Sequence, residues 1–211
     1  LTFEVERKTI EIPMVTSKML DNNIGYVAVY EFEETTSEQF NQAIDELTAQ
    51  GMKGLIIDLR DNPGGLVNSA TAILDRILSK DQLLVYTVDK NGKKQEEYTE
   101  DDETINVPIS VLINGNSASA SEIVSGCLQD YGKAKLVGTT SFGKGIVQYV
   151  LPLGDGSAIK LTSAKYYTPN GRNIHGTGID PDVEVELNSD SETDTQLEKA
   201  QEIVLQEIQA E

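Results

Sequence analysis

The stretch Gly54-Leu55-Ile56-Ile57-Asp58-Leu59-Arg60-Asp61-Asn62-Pro63-Gly64-Gly65-Leu66 decides the fold class. Its first six residues are almost continuously apolar, which is typical of a parallel strand covered on both faces. The segment Arg60-Asp61-Asn62-Pro63-Gly64-Gly65 then breaks the strand sharply. A strand that leads through paired glycines into a helix fits a tight structural turn. It equally suits a backbone N–H that is aimed at an anion.

Strands and helices alternate on both sides of this stretch, which predicts an α/β domain with much parallel sheet. Asn91-Gly92 and Gly154-Asp155-Gly156 predict two antiparallel hairpins. Strands are predicted at 24–30, 54–59, 83–89, 95–99, 109–113, 134–138, 145–153, 157–167 and 183–187, with two short ones between residues 2 and 15. Helices are predicted from Thr36 or Ser37 to Gly51, and at about 66–78, 117–130 and 195–210.

Composition excludes several classes of function. The chain of 211 residues carries a formal net charge of −18, which argues against nucleic acid as a partner because phosphate binding needs clustered Lys and Arg. Cys127 is the only cysteine and His175 the only histidine, so an internal disulfide, a multi-cysteine zinc site and a histidine-based metal cluster are excluded. We therefore predict neither a metal nor a cofactor.

Three serines lie in the segment Asn114-Gly115-Asn116-Ser117-Ala118-Ser119-Ala120-Ser121-Glu122-Ile123, where a predicted strand turns into a helix. Small residues around Ser119 let a substrate backbone approach, and helix N-terminal N–H groups can stabilise an oxyanion. The same residues also fit a capping box between Ser119 and Glu122. The local pattern leaves both readings open, and it does not choose among Ser117, Ser119 and Ser121.

Lys144 lies between two glycines in Gly143-Lys144-Gly145-Ile146-Val147-Gln148, just before an apolar strand. A lysine that is desolvated by folding can become neutral and take a proton from a serine hydroxyl. An exposed loop lysine is the alternative. The segment 138–144 is not a phosphate-binding loop, because Gly145 stands where such a loop has Ser or Thr.

Together these segments resemble the carboxyl-terminal processing peptidases, or tail-specific proteases, of the S41 class. The resemblance runs from about Ile24 to Val185, and its four segments in this order are highly specific as a set. It implies the S41 peptidase core, an α/β fold of mixed sheets and packed helices related to the ClpP/crotonase-like spiral fold. The matching segments are 59–65, 117–123, 143–148 and 176–182.

The resemblance also implies roles for individual residues. Ser119 corresponds to the nucleophile, and Lys144, 25 positions later, to the general base. Gln148 corresponds to a residue that orients the lysine, and residues four apart on a strand share a face. The implied oxyanion hole consists of the backbone N–H of Ala120 and that of either Gly64 or Gly65.

The implied function is a serine endopeptidase that cleaves unfolded proteins or C-terminal tails, with a free substrate C-terminus as partner and an extracytoplasmic location. We expect residues 1–15 to be the end of a PDZ domain with the strands that follow it, 16–188 to be the peptidase core, and 189–211 to be a linker and helix. The PDZ domain itself is expected in the full-length chain. The alternatives are a catalytically inactive S41-like domain that binds a peptide or hydrophobic ligand, or serves as a scaffold, and an acyl-transfer enzyme of crotonase type. The sequence does not indicate an oligomeric state.

Overall fold

The structure, a computed structural model, describes residues 1, 3–4, 6–8, 12–102, 104–187 and 193–210. Within these residues, ten strands form two sheets that pack with four α-helices. In chain order the elements are β1 (Val15–Leu20), β2 (Ile24–Val29), α1 (Thr36–Ala49), β3 (Gly54–Asp58), α2 (Val67–Ile77), β4 (Leu83–Asp89), β5 (Lys94–Tyr98), β6 (Ile109–Ile113), α3 (Ala120–Asp130), β7 (Ala134–Gly138), β8 (Ile146–Pro152), β9 (Ala158–Tyr167), β10 (Val183–Glu184) and α4 (Thr195–Ala210).

The larger sheet has six strands in the order β1-β2-β3-β6-β7-β10. β1 is antiparallel to β2, and the other neighbours are parallel. Every residue of β3 and β6 is buried, as their continuous apolar sequences predict for strands covered on both faces. The α/β class with a largely parallel sheet is therefore confirmed.

Alternate side chains of this sheet enter two separate cores, because successive residues of a strand point to opposite faces. Ile57 and Val111 lie in the core shared with α1, α2 and α3, whereas Ile56 and Leu112 lie in the core shared with α4. The three earlier helices therefore cover one face of the sheet and α4 covers the other. The apolar stripe of α4 packs on its own domain.

Gly54 allows α4 to approach the sheet closely. A Cβ atom at this position would lie 2.2 Å from Cγ1 of Val204 and 3.0 Å from Cδ1 of Ile208. Val204 is fully buried in this contact. α4 can therefore pack closely over the start of β3 because Gly54 has no side chain.

The smaller sheet is antiparallel and has the order β5-β4-β9-β8. The two hairpins predicted from the Asn91-Gly92 and Gly154-Asp155-Gly156 turns are confirmed, since β4 pairs with β5 and β8 with β9. β4 also pairs with β9, which joins the two hairpins into one sheet.

In three regions of the chain the predicted elements do not match those of the structure or cannot be compared in full. α3 begins at Ala120, not at Ser117, because Ser117 and Ala118 form the preceding turn: their N–H groups bond to carbonyls of Asn114 and Asn62. The strand predicted at 183–187 is only the two-residue β10. Part of the region with two early predicted strands (residues 2, 5 and 9–11) lies outside the described residues, as does most of the predicted linker (residues 189–192). Among the described residues, the first strand begins at Val15.

Candidate active site

Ser119 lies at the N-terminal cap of α3, on the turn that follows β6. Its φ of 56° and ψ of −111° are unusual for a residue with a side chain, and such backbone strain costs on the order of 1–3 kcal/mol. Ser117 and Ser121 are both fully buried, and their hydroxyls donate to the backbone carbonyls of Leu59 (2.7 Å) and Asn62 (2.9 Å). Ser119 is half-buried. Two of the three serines of this turn therefore stabilise it through buried hydrogen bonds.

Gly64, the first glycine of the pair, packs directly against this turn. A Cβ atom on Gly64 would lie 2.6 Å from the Ala118 carbonyl oxygen, 2.7 Å from Cβ of Ser119 and 2.9 Å from the backbone nitrogen of Ala120. Gly64 also has a φ of +102°, which favours glycine. The close approach of the two turns thus depends on the missing side chain.

Hydrogen bonds distinguish the two glycines. The Gly64 N–H donates to Oδ1 of Asn62 (2.9 Å), a fully buried residue whose Nδ2 donates to the Val29 carbonyl (2.7 Å). The Gly64 carbonyl in turn accepts a hydrogen bond from the Phe32 N–H (2.8 Å). The Gly65 N–H has no hydrogen-bond partner among the described residues. Gly65 is therefore the glycine whose N–H remains available.

One N–H group is also available at the start of α3. The N–H groups of Ser121 and Glu122 donate to the carbonyls of Ala118 (3.1 Å) and Ser119 (2.9 Å). Ala120, the first helical residue, has an N–H that bonds to nothing within the described chain. The N–H groups of Gly65 and Ala120 are thus both unpaired within the described residues, which is one property that an oxyanion hole needs in its donors.

Glu122 joins the serine turn to the lysine loop. It is 0% exposed, and its two carboxylate oxygens accept four hydrogen bonds. Oε2 accepts from the backbone N–H groups of Ser119 and Lys144, both at 2.8 Å. Oε1 accepts from Oγ of Ser141 (2.6 Å) and the N–H of Gly143 (2.7 Å). The predicted capping interaction is confirmed for the Glu122 carboxylate, which accepts the Ser119 N–H. The same carboxylate also fixes the loop of residues 141–144, about 20 residues further along the chain.

Lys144 is half-buried, and its Nζ makes no hydrogen bond or ion pair with any described residue. The glycines that flank it let its loop lie against the following segment. A Cβ atom on Gly145 would lie 2.6 Å from the backbone nitrogen of His175, and one on Gly143 would lie 3.0 Å from that of Gly178. The segment 176–182, the fourth of the sequence resemblance, therefore packs with its first residues against the lysine loop.

Gln148 makes no hydrogen bond to Lys144 among those of the described residues. β8 begins at Ile146, so Lys144 precedes the strand, and the expectation that the two residues share a strand face is wrong. Nε2 of Gln148 donates to Oγ1 of Thr162 on β9 (3.2 Å). The role of Gln148 in orienting the lysine stays a prediction.

Asp61 ties the glycine turn to the serine turn from the solvent side. Its Oδ1 accepts hydrogen bonds from the side-chain amides of Asn116 (2.8 Å) and Asn114 (3.0 Å), and its N–H donates to Oδ1 of Asn114. These amide hydrogen bonds, first that from Asn116, lower the pKa of the Asp61 carboxyl below its ordinary value. The sequence shows Asn114 and Asn116 on either side of a glycine, but it does not show that both side chains bind Asp61.

A cleft of about 670 Å³ opens beside the site, on one face of the smaller sheet. Its inner wall is apolar and includes Val67, near the glycine turn, Val147, near the lysine loop, and Tyr166. Burial raises the pKa of Tyr166 to about 12. Tyr149 and Leu161, which are paired across β8 and β9, line its outer part and are about half exposed.

No group of three or more His, Cys, Asp or Glu side chains within the described residues could hold a metal ion. Cys127 is buried in the core, where burial raises the pKa of its thiol. None of the helices in the described part of the chain is long and apolar enough to cross a membrane.

Comparison with known proteins shows the family to which the chain belongs. The model of peptidase family S41 matches residues 23–185. The chain is 41% identical over 190 residues to the carboxy-terminal processing protease CtpB of Bacillus subtilis (strain 168), and 42% identical over 195 residues to the carboxy-terminal-processing protease of Bartonella bacilliformis. Each alignment covers 88% of this chain, but only 39% and 44% of the respective relative.

A solved structure described as the photosystem II D1 C-terminal processing protease superposes with a TM-score of 0.76 at 30% identity, over 94% of this chain and 54% of that one. The fold and these similarities thus place the chain among the serine-type peptidase domains. The chain belongs to peptidase family S41. The mixed α/β core that the resemblance implied is confirmed, and the chain spans about two fifths of the length of the two bacterial relatives.

Proposed function

We propose that this chain is the catalytic core of a C-terminal processing peptidase that uses Ser119 as nucleophile and Lys144 as general base. One observation carries the proposal: a single oxygen of the buried Glu122 carboxylate accepts the backbone N–H groups of both residues at 2.8 Å. Two residues 25 positions apart are thereby fixed next to each other. The relatives are named carboxy-terminal processing proteases, which supports the class of enzyme proposed.

In the proposed acylation step, neutral Lys144 accepts the proton of the Ser119 hydroxyl while the oxygen attacks a peptide carbonyl. The resulting oxyanion is bound by the N–H groups of Gly65 and Ala120, each worth on the order of 3–4 kcal/mol. Gly64 supports the hole structurally, because its own N–H is held by Asn62. This assignment favours Gly65 over Gly64 as the donor.

Lys144 then protonates the leaving amine, and water hydrolyses the acyl-enzyme on Ser119. The amine must be uncharged to act as a base. Gln148 would reach the lysine only after giving up its hydrogen bond to Thr162. We propose that a substrate strand in the cleft drives this exchange.

The proposed substrates are unfolded proteins or tails with a free C-terminus, in keeping with the names of the relatives. We propose that the full-length protein carries a PDZ domain that recognises this terminus, and that it works outside the cytoplasm. The net charge of −18 supports a protein or peptide partner over nucleic acid.

Degradation of reduced casein, followed by mass spectrometry, tests the proposal. Wild type is compared with Ser119→Ala and Lys144→Ala. The control variants are Ser157→Ala and Lys160→Ala, which change exposed residues of the β8–β9 hairpin. We expect cleavage by wild type and both controls, and loss of cleavage in the two site variants. Cleavage by Ser119→Ala at the wild-type rate would refute the assignment.

A further inference from the structure

A half-buried arginine connects the glycine turn to the opposite side of the molecule. Arg60 follows the end of β3 and lies five residues before Gly65. Its side chain is 13% exposed, and it binds Asp58, which is 8% exposed, and Asp194, which is 34% exposed. Asp194 immediately precedes α4, so the partners of this arginine come from 2 and 134 residues away in sequence.

All N–H groups of the Arg60 guanidinium are used in this network. Nε donates to Asp58 (3.0 Å to Oδ1), and Nη2 donates to Oδ2 of Asp58 (2.6 Å) and Oδ2 of Asp194 (2.8 Å). Nη1 donates to Oδ1 of Asp194 (3.0 Å) and Oε1 of Gln196 (3.1 Å). Burial opposes the charge, but the hydrogen bonds to Asp58 and Asp194 outweigh it and raise the pKa of Arg60. Half-buried bidentate pairs of this kind restrict geometry strongly.

The α4 side of the network is itself fixed. Oδ1 of Asp194 accepts the N–H of Leu197 and so caps the helix (3.0 Å). Gln196 is 2% exposed, and its Nε2 donates to the Val185 carbonyl (2.7 Å). Val204 seats the middle of the helix over Gly54. These contacts hold Asp194 and Gln196 in place at the start of α4.

We propose that Asp194 is a positioning residue for the oxyanion hole, which it holds in place through Arg60. Replacing the Asp194 carboxylate by an amide removes its charge and one of the two oxygens that accept from Arg60, whose side chain is only 13% exposed. The guanidinium would then move toward solvent and carry the backbone of Arg60 and Asp61 with it. The Gly65 N–H lies on the same short turn and would lose its fixed direction. This inference rests on the proposed function.

The test uses Asp194→Asn in the full chain. We expect kcat to fall about tenfold with KM changed less than about twofold, a smaller loss than the ~10²-fold or more for removing an oxyanion donor. Hydrogen exchange, read by mass spectrometry, should accelerate in the peptide covering residues 60–66. Asp194→Glu, which keeps the charge, should recover part of kcat.

Two controls separate positioning from general loss of stability. Val204→Ala weakens the seat of α4 but leaves the Arg60 partners intact, so its thermal midpoint should fall while kcat well below that midpoint is retained. Asp45→Asn removes a surface ion pair with Arg76, 2.8 Å long, and should change neither quantity.

Unchanged exchange at residues 60–66 in Asp194→Asn would overturn the inference, as would faster exchange with unchanged kcat. If wild type cleaves no substrate, the proposed function fails, and the exchange measurement then decides by itself whether Asp194 holds the turn.

Discussion

Replacing Glu122 by Gln tests whether one buried carboxylate assembles the site. Each carboxylate oxygen accepts two hydrogen bonds, so the amide nitrogen of Gln must face two donors wherever it is placed. The less damaging placement puts the amide nitrogen in the position of Oε1. The Ser141 hydroxyl can then turn to accept a hydrogen bond from it, but the Gly143 N–H still loses its acceptor. Two charge-assisted hydrogen bonds are weakened or lost, each worth about 1.5–3 kcal/mol, which gives a loss of about 3–6 kcal/mol in the free energy of unfolding.

The same change should reduce catalysis even where the protein stays folded. A displacement of about 1 Å between reacting groups can cost roughly 10²-fold in rate, so we expect at least that loss in kcat/KM. Unfolding by urea is followed through the eight tyrosines, as the chain has no tryptophan, and cleavage of a peptide substrate is followed by initial rates.

Glu38→Gln is the matched control for this prediction. Glu38 occupies the same third position of α1 that Glu122 occupies in α3, but it is exposed and belongs to no such network. Its interaction with the helix dipole is comparable, so its replacement should cost only about 0.3–1 kcal/mol. Equal effects of the two substitutions on stability, or an unchanged kcat/KM in Glu122→Gln, would refute the role given to this carboxylate.

Three further predictions follow from close contacts and charges. Gly64→Ala should abolish cleavage, because the new methyl would overlap the serine turn at 2.6–2.9 Å, whereas Gly115→Ala, where the nearest atom is 3.9 Å away, should retain it; peptide hydrolysis compares the two. Gly54→Ala should lower the free energy of unfolding by about 1–3 kcal/mol through overlap with Val204, and an unchanged urea midpoint would contradict this. Burial raises the pKa of the Asp194 carboxyl, but the hydrogen bond from Arg60 outweighs burial and leaves it below the ordinary value. Its stabilising effect is therefore present above about pH 3.9 and is lost as the pH falls through the lowered pKa, so urea midpoints should fall more steeply below pH 4 in wild type than in Asp194→Asn.

The sequence by itself determined the fold class and the position of most elements. Continuous apolar runs predict buried parallel strands because a strand covered on both faces cannot alternate with polar residues, and β3 and β6 follow this rule. The hairpins of the smaller sheet follow from glycine-containing turns. These signals are short-range, since they depend on the sterics of neighbouring residues. The resemblance of four ordered segments then indicated the family and the pair of Ser119 and Lys144.

Only the tertiary structure decided how the site is held together. Glu122 was visible in the sequence as a helix cap, but its bonds to the lysine loop arise only when β7 and the following loop pack beside α3. The difference between Gly64 and Gly65 depends on the side chain of Asn62. Arg60 and Asp194 meet across 134 residues because α4 closes over the second face of the sheet. Local patterns cannot specify such partners, because a hydrogen bond between distant residues depends on where the packed elements bring them.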